Sequence, residues 1–202
     1  MERVNYLKKI RERIDLSEKG SVFIISDFTD IAEYMIVKKS LSRLEKSNVI
    51  RRVMRGVYEY PEYNDFLGEY IAVSPDKVSH ALARNYGWTI VPCGDTALNM
   101  LGLSTQVPAT WSYVSDGSYK KYEFDNVCVE FKKRTNREIS GLSAKTALII
   151  QALKTIGEDK VDEKAILKLS KKLNKDEKNI MLTEAKNATA WVYEIVKRIC
   201  KD

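Results

Sequence analysis

The chain has 202 residues, 44% apolar and 31% charged, with nine Gly, four Pro and a formal net charge of +6. That composition excludes a disordered, collagenous or fibrous protein, and a chain of this size buries about 70% of its unfolded surface, in one large core or two small ones. No apolar run of about 18 residues offers a membrane span, and residues 1–14 are charged where a signal peptide needs an apolar middle, so a cytoplasmic protein without membrane contact is expected.

Val4, Leu7, Ile10 and Ile14 recur at three- and four-residue steps and predict an amphipathic helix, with Gly20 beyond its end. Residues 22–25 read as a short strand, and Ser26 and Asp27 can cap a short helix near Phe28. A further helix is expected from Tyr34 to about Ser47. On it Val37, Leu41 and Leu44 share a narrow arc that must face the core, while Met35, Lys39, Ser42 and Lys46, flanked by Lys38 and Arg43, point the other way. Residues 49–53 and 57–60 are β-prone runs joined through Met54, Arg55 and Gly56, a hairpin with a basic tip. Helix, strand, helix, helix and hairpin is the order of a winged helix-turn-helix, expected over residues 1–61.

Residues 62–73 read as a connector, followed by a second domain over 74–202. Ser74, Pro75 and Asp76 open a helix that Gly87 closes. A strand over 88–91, a short helix over 94–101, and strands over 110–115, 122–125 and 127–133 follow. The turns at Asp116-Gly117 and Asp125-Asn126 suggest an antiparallel meander. Three helices, 144–156, 162–173 and 176–200, complete an α+β chain whose second domain mixes α and β around a small antiparallel sheet.

Charge is concentrated in one place. Residues 35–55 carry Lys38, Lys39, Arg43, Lys46, Arg51, Arg52 and Arg55 against Glu45 alone. On a helix in the major groove, Lys38, Lys39, Ser42, Arg43 and Lys46 are the donors available to base edges and phosphates, and Arg51, Arg52 and Arg55 on the hairpin would meet the backbone or the minor groove. Any surface helix also has a solvated charged face, and a winged helix can serve as a protein-interaction module. The patch lacks the interleaved aromatics of single-strand binders.

In the second domain, Asp116, Glu130 and Lys132 resemble the acid, acid and lysine spacing of a metal-dependent nuclease with a restriction-endonuclease-like fold. A turn at Asp116-Gly117 and a solvent-facing strand side explain the same residues. Lys132, Lys133, Arg134 and Arg137 form a second basic cluster. Cys93, Cys128, Cys200 and the single His80 have no metal-ligand or redox spacing, and the glycines at 94 and 102 lack a phosphate-loop pattern, so no cofactor, metal or disulfide is expected.

Several stretches are similar to the AbiE-type (AbiEi-like) abortive-infection antitoxins. In the first half they are Gly20-Ser21-Val22-Phe23, Ser26-Asp27-Phe28, the run from Val37 to Leu44, and Arg55-Gly56-Val57-Tyr58 followed by Pro61. In the second half they are the run from Ala97 to Pro108, with its Leu-Gly-Leu-Ser-Thr-Gln-Val-Pro ending, then Ser115-Asp116-Gly117, and Glu138 through Leu142 to Gln151-Ala152-Leu153. The resemblance implies a transcriptional autorepressor of a type IV toxin–antitoxin system. Such a protein binds inverted repeats of double-stranded DNA through the winged helix and counters a nucleotidyltransferase-like toxin with its second domain. It places DNA contact on Lys38, Lys39, Ser42, Arg43, Arg51, Arg52 and Arg55. The expected protein is a DNA-binding antitoxin and repressor, not an enzyme, occupying its operator as a homodimer, with the cognate toxin as functional partner.

Overall fold

The computed structural model describes residues 5–134 and 141–201. Val4, Arg137 and residues 138–140, named above, lie outside the described residues. The fold is α+β, and the chain divides into two compact units, Met1–Gly87 and Trp88–Asp202. Among the described residues no helix is long and apolar enough to cross a membrane.

The first unit begins with α1 (Tyr6–Asp15), whose N-terminus is capped by Asn5 Oδ1 accepting from the Lys8 amide at 3.1 Å. Strand β1 (Val22–Ile24) leads into a 3-10 turn (Ile25–Phe28), where the Asp27 carboxylate accepts the Ile24 amide at 2.9 Å. Helix α2 (Tyr34–Lys46) follows, then β2 (Arg51–Met54) and β3 (Val57–Glu59). The strands form one antiparallel sheet in the order β1-β3-β2. Gly56 takes φ +82° in the β2–β3 turn, a conformation that favours glycine. The core joins Ile10 and Ile14 of α1, Phe28, Val37, Leu41 and Leu44 of α2, Ile50 and Tyr58. Arg13 adds a two-pronged ion pair to Asp30, at 2.8 and 2.6 Å, that ties α1 to the loop before α2 and holds the Asp30 carboxyl below the usual range.

The expected connector contains structure of its own. Strands β4 (Tyr63–Asn64) and β5 (Glu69–Tyr70) pair into a short hairpin. Helix α3 (Pro75–Tyr86), expected to open the second domain, packs instead on the first. Its Arg84 donates to the Val22 carbonyl at 3.1 Å and to Asp27 Oδ2 at 3.0 Å, which moves the division to the far side of Gly87.

The second unit contains β6 (Ile90–Pro92), α4 (Gly94–Met100), β7 (Thr110–Ser115), β8 (Lys120–Phe124) and β9 (Val127–Lys133), its strands forming one sheet of order β6-β7-β9-β8. The expected antiparallel meander is corrected here: β9 pairs β7 in parallel and β8 antiparallel, so the sheet is mixed. Asp125 and Asn126, both at positive φ, make the tight β8–β9 turn. The link from β7 makes no hairpin, because its residues are used elsewhere. Asp116 Oδ1 accepts the Thr89 amide at 2.9 Å, and Gly117 lies so close to the Trp88 indole that a Cβ there would come within 2.0 Å of it. The link therefore passes over the end of β9 and delivers β8 to the outer edge.

Helix α5 (Ala144–Ile156) is buried on most sides, as its composition predicts, and α6 (Glu163–Ser170), α7 (Lys175–Glu184) and α8 (Ala190–Cys200) pack around it. The single helix expected over 176–200 is broken at a 3-10 turn (Ala185–Asn187) followed by extended Ala188 and Thr189. One straight helix of that length would run about 37 Å against about 20 Å for α5. The break lets Met181 and Ala185 on one side, and Val192, Val196 and Ile199 on the other, bury in the same core. Glu184, whose carboxylate accepts from the Ser143 amide and hydroxyl at 2.8 to 3.0 Å, pins the end of α7 to the start of α5.

Because the Gly117 contact is with an aromatic ring that itself stacks edge-on against Phe131, G117A should destabilise the protein by about 1–3 kcal/mol. The exposed neighbour Ser118→Ala should stay within about 0.5 kcal/mol in the same thermal melts.

Candidate functional site

The rotation of α2 decides which residues are available. Val37, Ser40, Leu41 and Leu44 are buried, whereas Lys38, Lys39, Arg43 and Lys46 are exposed and Ser42 is half-buried. Lys39, Ser42, Arg43 and Lys46 follow one another along one side of the helix, with Lys38 beside Ser42. The row from Lys39 to Lys46 covers about 10 Å of helix axis, the length of about three base-pair steps of about 3.4 Å along the axis of a duplex. Among the described residues none of these four cations, nor Arg55 at the hairpin turn, makes an ion pair. Arg52 is exposed too, and its Nε donates to the nearby Met54 carbonyl at 3.4 Å. Its cross-strand partner is Tyr58, a buried phenol pushed up by desolvation.

Arg51 stands apart from the other candidates. Its Nη2 and Nε lie 2.6 and 3.0 Å from one oxygen of Glu59, a carboxylate only 2% exposed and directly across the β2–β3 ladder. The guanidinium balances a buried charge and is thereby withdrawn from a ligand-facing role. Glu59 is not among the residues that the sequence singles out. Counting back from the Arg55-Gly56 turn would pair Glu59 with Arg52; an irregularity between Arg52 and Met54 shifts the register by one residue and brings Arg51 opposite it.

The nuclease constellation does not assemble. In the β7–β9 register Glu130 lies opposite Ser112, and Asp116 is four positions further along, about 13 Å away at the rise of a strand. Asp116 is occupied with the Thr89 amide. Glu130 is held by Tyr119 Oη at 2.7 Å, by Lys132 Nζ at 3.1 Å and by Ser112 Oγ at 3.4 Å. The Tyr119 hydrogen bond is the largest influence and, with Lys132 and Ser112, keeps the Glu130 carboxyl below its usual range against the opposing effect of burial. Among the described residues no three His, Cys, Asp or Glu side chains converge. Of the second basic cluster, Lys132 is spent on Glu130, Lys133 and Arg134 are exposed, and the Arg134 amide extends the β7–β9 ladder by donating to the Ser115 carbonyl. His80 is exposed on α3, its Nε2 3.6 Å from Asp76 Oδ1. The three cysteines are free thiols; those of Cys93 and Cys200 are buried and pushed up by that burial.

Over residues 9–181 the chain matches a family of unknown function (DUF6088), and it belongs to that family. The matched stretch runs from α1 into α7 and so takes in both units. No curated protein matches it.

Two measurements check this assignment of charges. Arg51→Ala strands the Glu59 carboxylate and should cost about 3 kcal/mol in urea unfolding, while Glu59→Gln costs less and Lys39→Ala stays near neutral. Because the folded pKa of Glu130 is depressed, its contribution is complete above the unfolded carboxylate range and is lost as the pH falls through the folded value. E130Q should therefore flatten the decline of the melting temperature between about pH 7 and pH 3.

Proposed function

We propose that the first unit is a winged helix-turn-helix that binds duplex DNA in a sequence-specific way, and that the protein is the autorepressing antitoxin of a type IV toxin–antitoxin system. One observation carries the DNA-binding reading: four cations without an ion pair among the described residues are exposed on α2, Lys39 and Lys46 opposite its core arc and Lys38 and Arg43 flanking them, followed by a hairpin with Arg52 and Arg55 exposed. The order α1, β1, 3-10 turn, α2 and hairpin, with β1 as third strand of the sheet, agrees with that class. In this reading α2 enters the major groove. Lys39, Ser42 and Arg43 address base edges, Lys38 and Lys46 the flanking phosphates, and Arg52 and Arg55 the adjacent backbone or minor groove. Arg51 holds the hairpin together through Glu59. The antitoxin and repressor roles, with a nucleotidyltransferase-like toxin as functional partner in the cytoplasm, rest on the resemblance to AbiE-type antitoxins. An inverted-repeat operator would be occupied by two copies, because each half-site takes one recognition helix.

The test is a gel shift with DNA from upstream of the gene. Lys39→Ala combined with Arg43→Ala should abolish the specific complex while the thermal melt is unchanged, each lost bidentate contact removing about 1–3 kcal/mol. Lys46→Ala should weaken all sequences alike and reduce the slope of log K against log salt by about one. Unchanged affinity in the double variant would refute the assigned face. Co-expression with the neighbouring toxin gene tests the second role: growth that the wild-type chain fails to rescue counts against an antitoxin.

A further inference from the structure

Beyond the DNA-binding reading, we infer that the β4–β5 hairpin of one copy docks into the groove between α7 and α8 of a second copy. The hairpin is a built arm. Tyr63 and Tyr70 meet edge to face at 5.1 Å, and Asn64 Oδ1 accepts the amides of Phe66 and Leu67 at 3.0 and 3.1 Å. Gly68 at φ +69° returns its amide to the Asn64 carbonyl at 2.8 Å. This ordered turn holds Phe66 95% exposed and Leu67 61% exposed. A large apolar pair presented on a fixed turn marks a contact surface, whereas scattered single apolar residues do not.

Charge selects the occupant. Between Pro61 and Ile71 the arm carries Glu62, Asp65 and Glu69 and no cation, so two arms laid together would oppose six carboxylates. The acceptor must combine an apolar floor with a cationic rim. The α7–α8 groove, about 550 Å³, has Leu182 and Tyr193 in its lining and is rimmed by Lys186, Lys197 and Lys201, with no acid among its lining residues. Lys197 lies over the Tyr193 ring at 5.3 Å, so an aromatic side chain entering there meets both a ring and a cation. Lys197 also pairs with Glu194 at 2.6 Å, which leaves Lys186 and Lys201 to meet the acids of the arm. In the cleft lined by Arg13, Lys77 and Arg84 both arginines are already paired, with Asp30 and Asp27, and the groove beside α6, though lined by Lys160, Lys164 and Lys168, holds Asp162 and no aromatic ring, so of the three the α7–α8 groove joins an acid-free cationic rim to a ring. A reciprocal exchange, each arm in the other copy's groove, closes the assembly as a dimer. An interface this small makes it weak and sensitive to salt.

Sedimentation velocity of the full chain without DNA tests this over a roughly hundredfold range of concentration. The wild type should pass from monomer to dimer, and added salt should reverse the shift. Phe66→Ser, at a position too exposed to affect folding, should leave a monomer throughout. Lys186→Glu with Lys201→Glu should do the same, and adding Asp65→Lys with Glu69→Lys to that variant should restore the dimer. A wild type that stays monomeric overturns the inference, as does a dimer indifferent to Phe66→Ser or a charge reversal that fails to rescue. An arm variant that is monomeric beside a groove variant that still dimerises overturns it too, and places the arm on another surface. The K39A/R43A double variant should dimerise like the wild type, so loss of DNA binding and loss of docking are separable.

Discussion

Burial of Val37, Leu41 and Leu44 against Ile10, Ile14 and Phe28 fixes the rotation of α2 about its own axis, and with it the direction of every cation on the helix. Each of these side chains is worth about 1.5–3 kcal/mol when withdrawn from water, so a helix turned by one residue would lose more than any surface ion pair could return. The lysines point outward because the leucines cannot. Three acids of this unit are engaged elsewhere: Asp27 with Arg84, Asp30 with Arg13, Glu59 with Arg51.

The first unit thus separates charges that hold the structure from charges left exposed to solvent. Arg51 and Arg52 are neighbours on one strand, yet alternation sends one to a buried carboxylate and leaves the other exposed. A count of basic residues treats them alike. Only the strand register tells them apart, and the irregularity between Arg52 and Met54 sets it: without that one-residue shift the turn at Gly56 would place Arg52 opposite Glu59.

How much was readable without coordinates follows the range of the interactions. Helices α2 and α5 carry their own signals, an apolar arc in one and an apolar run in the other, and both were legible to within a residue or two. The hairpin tip was legible from Gly56. What escaped depends on residues far apart in sequence. The parallel pairing of β7 with β9, the break before α8 and the attachment of α3 to the first unit are each decided by a tertiary partner: Trp88 under Gly117, α5 against both halves of the broken helix, Asp27 for Arg84. The acidic pair suggested by Asp116 and Glu130 failed for the same reason, because it presupposed neighbouring strands in a different register.

The order β6-β7-β9-β8 also bears on how the second unit is made. Strands β8 and β9 close through a two-residue turn and can form on the microsecond scale as an independent hairpin, but the inner edge of β7 stays unsatisfied until Lys133 has been added to the chain. A nascent polypeptide that stalls before then presents an open sheet edge, a ready template for another strand. Completion of this layer consequently waits on its last strand: β7 can pair with β6 as soon as it is made, but its other edge stays open until the ribosome has added β9.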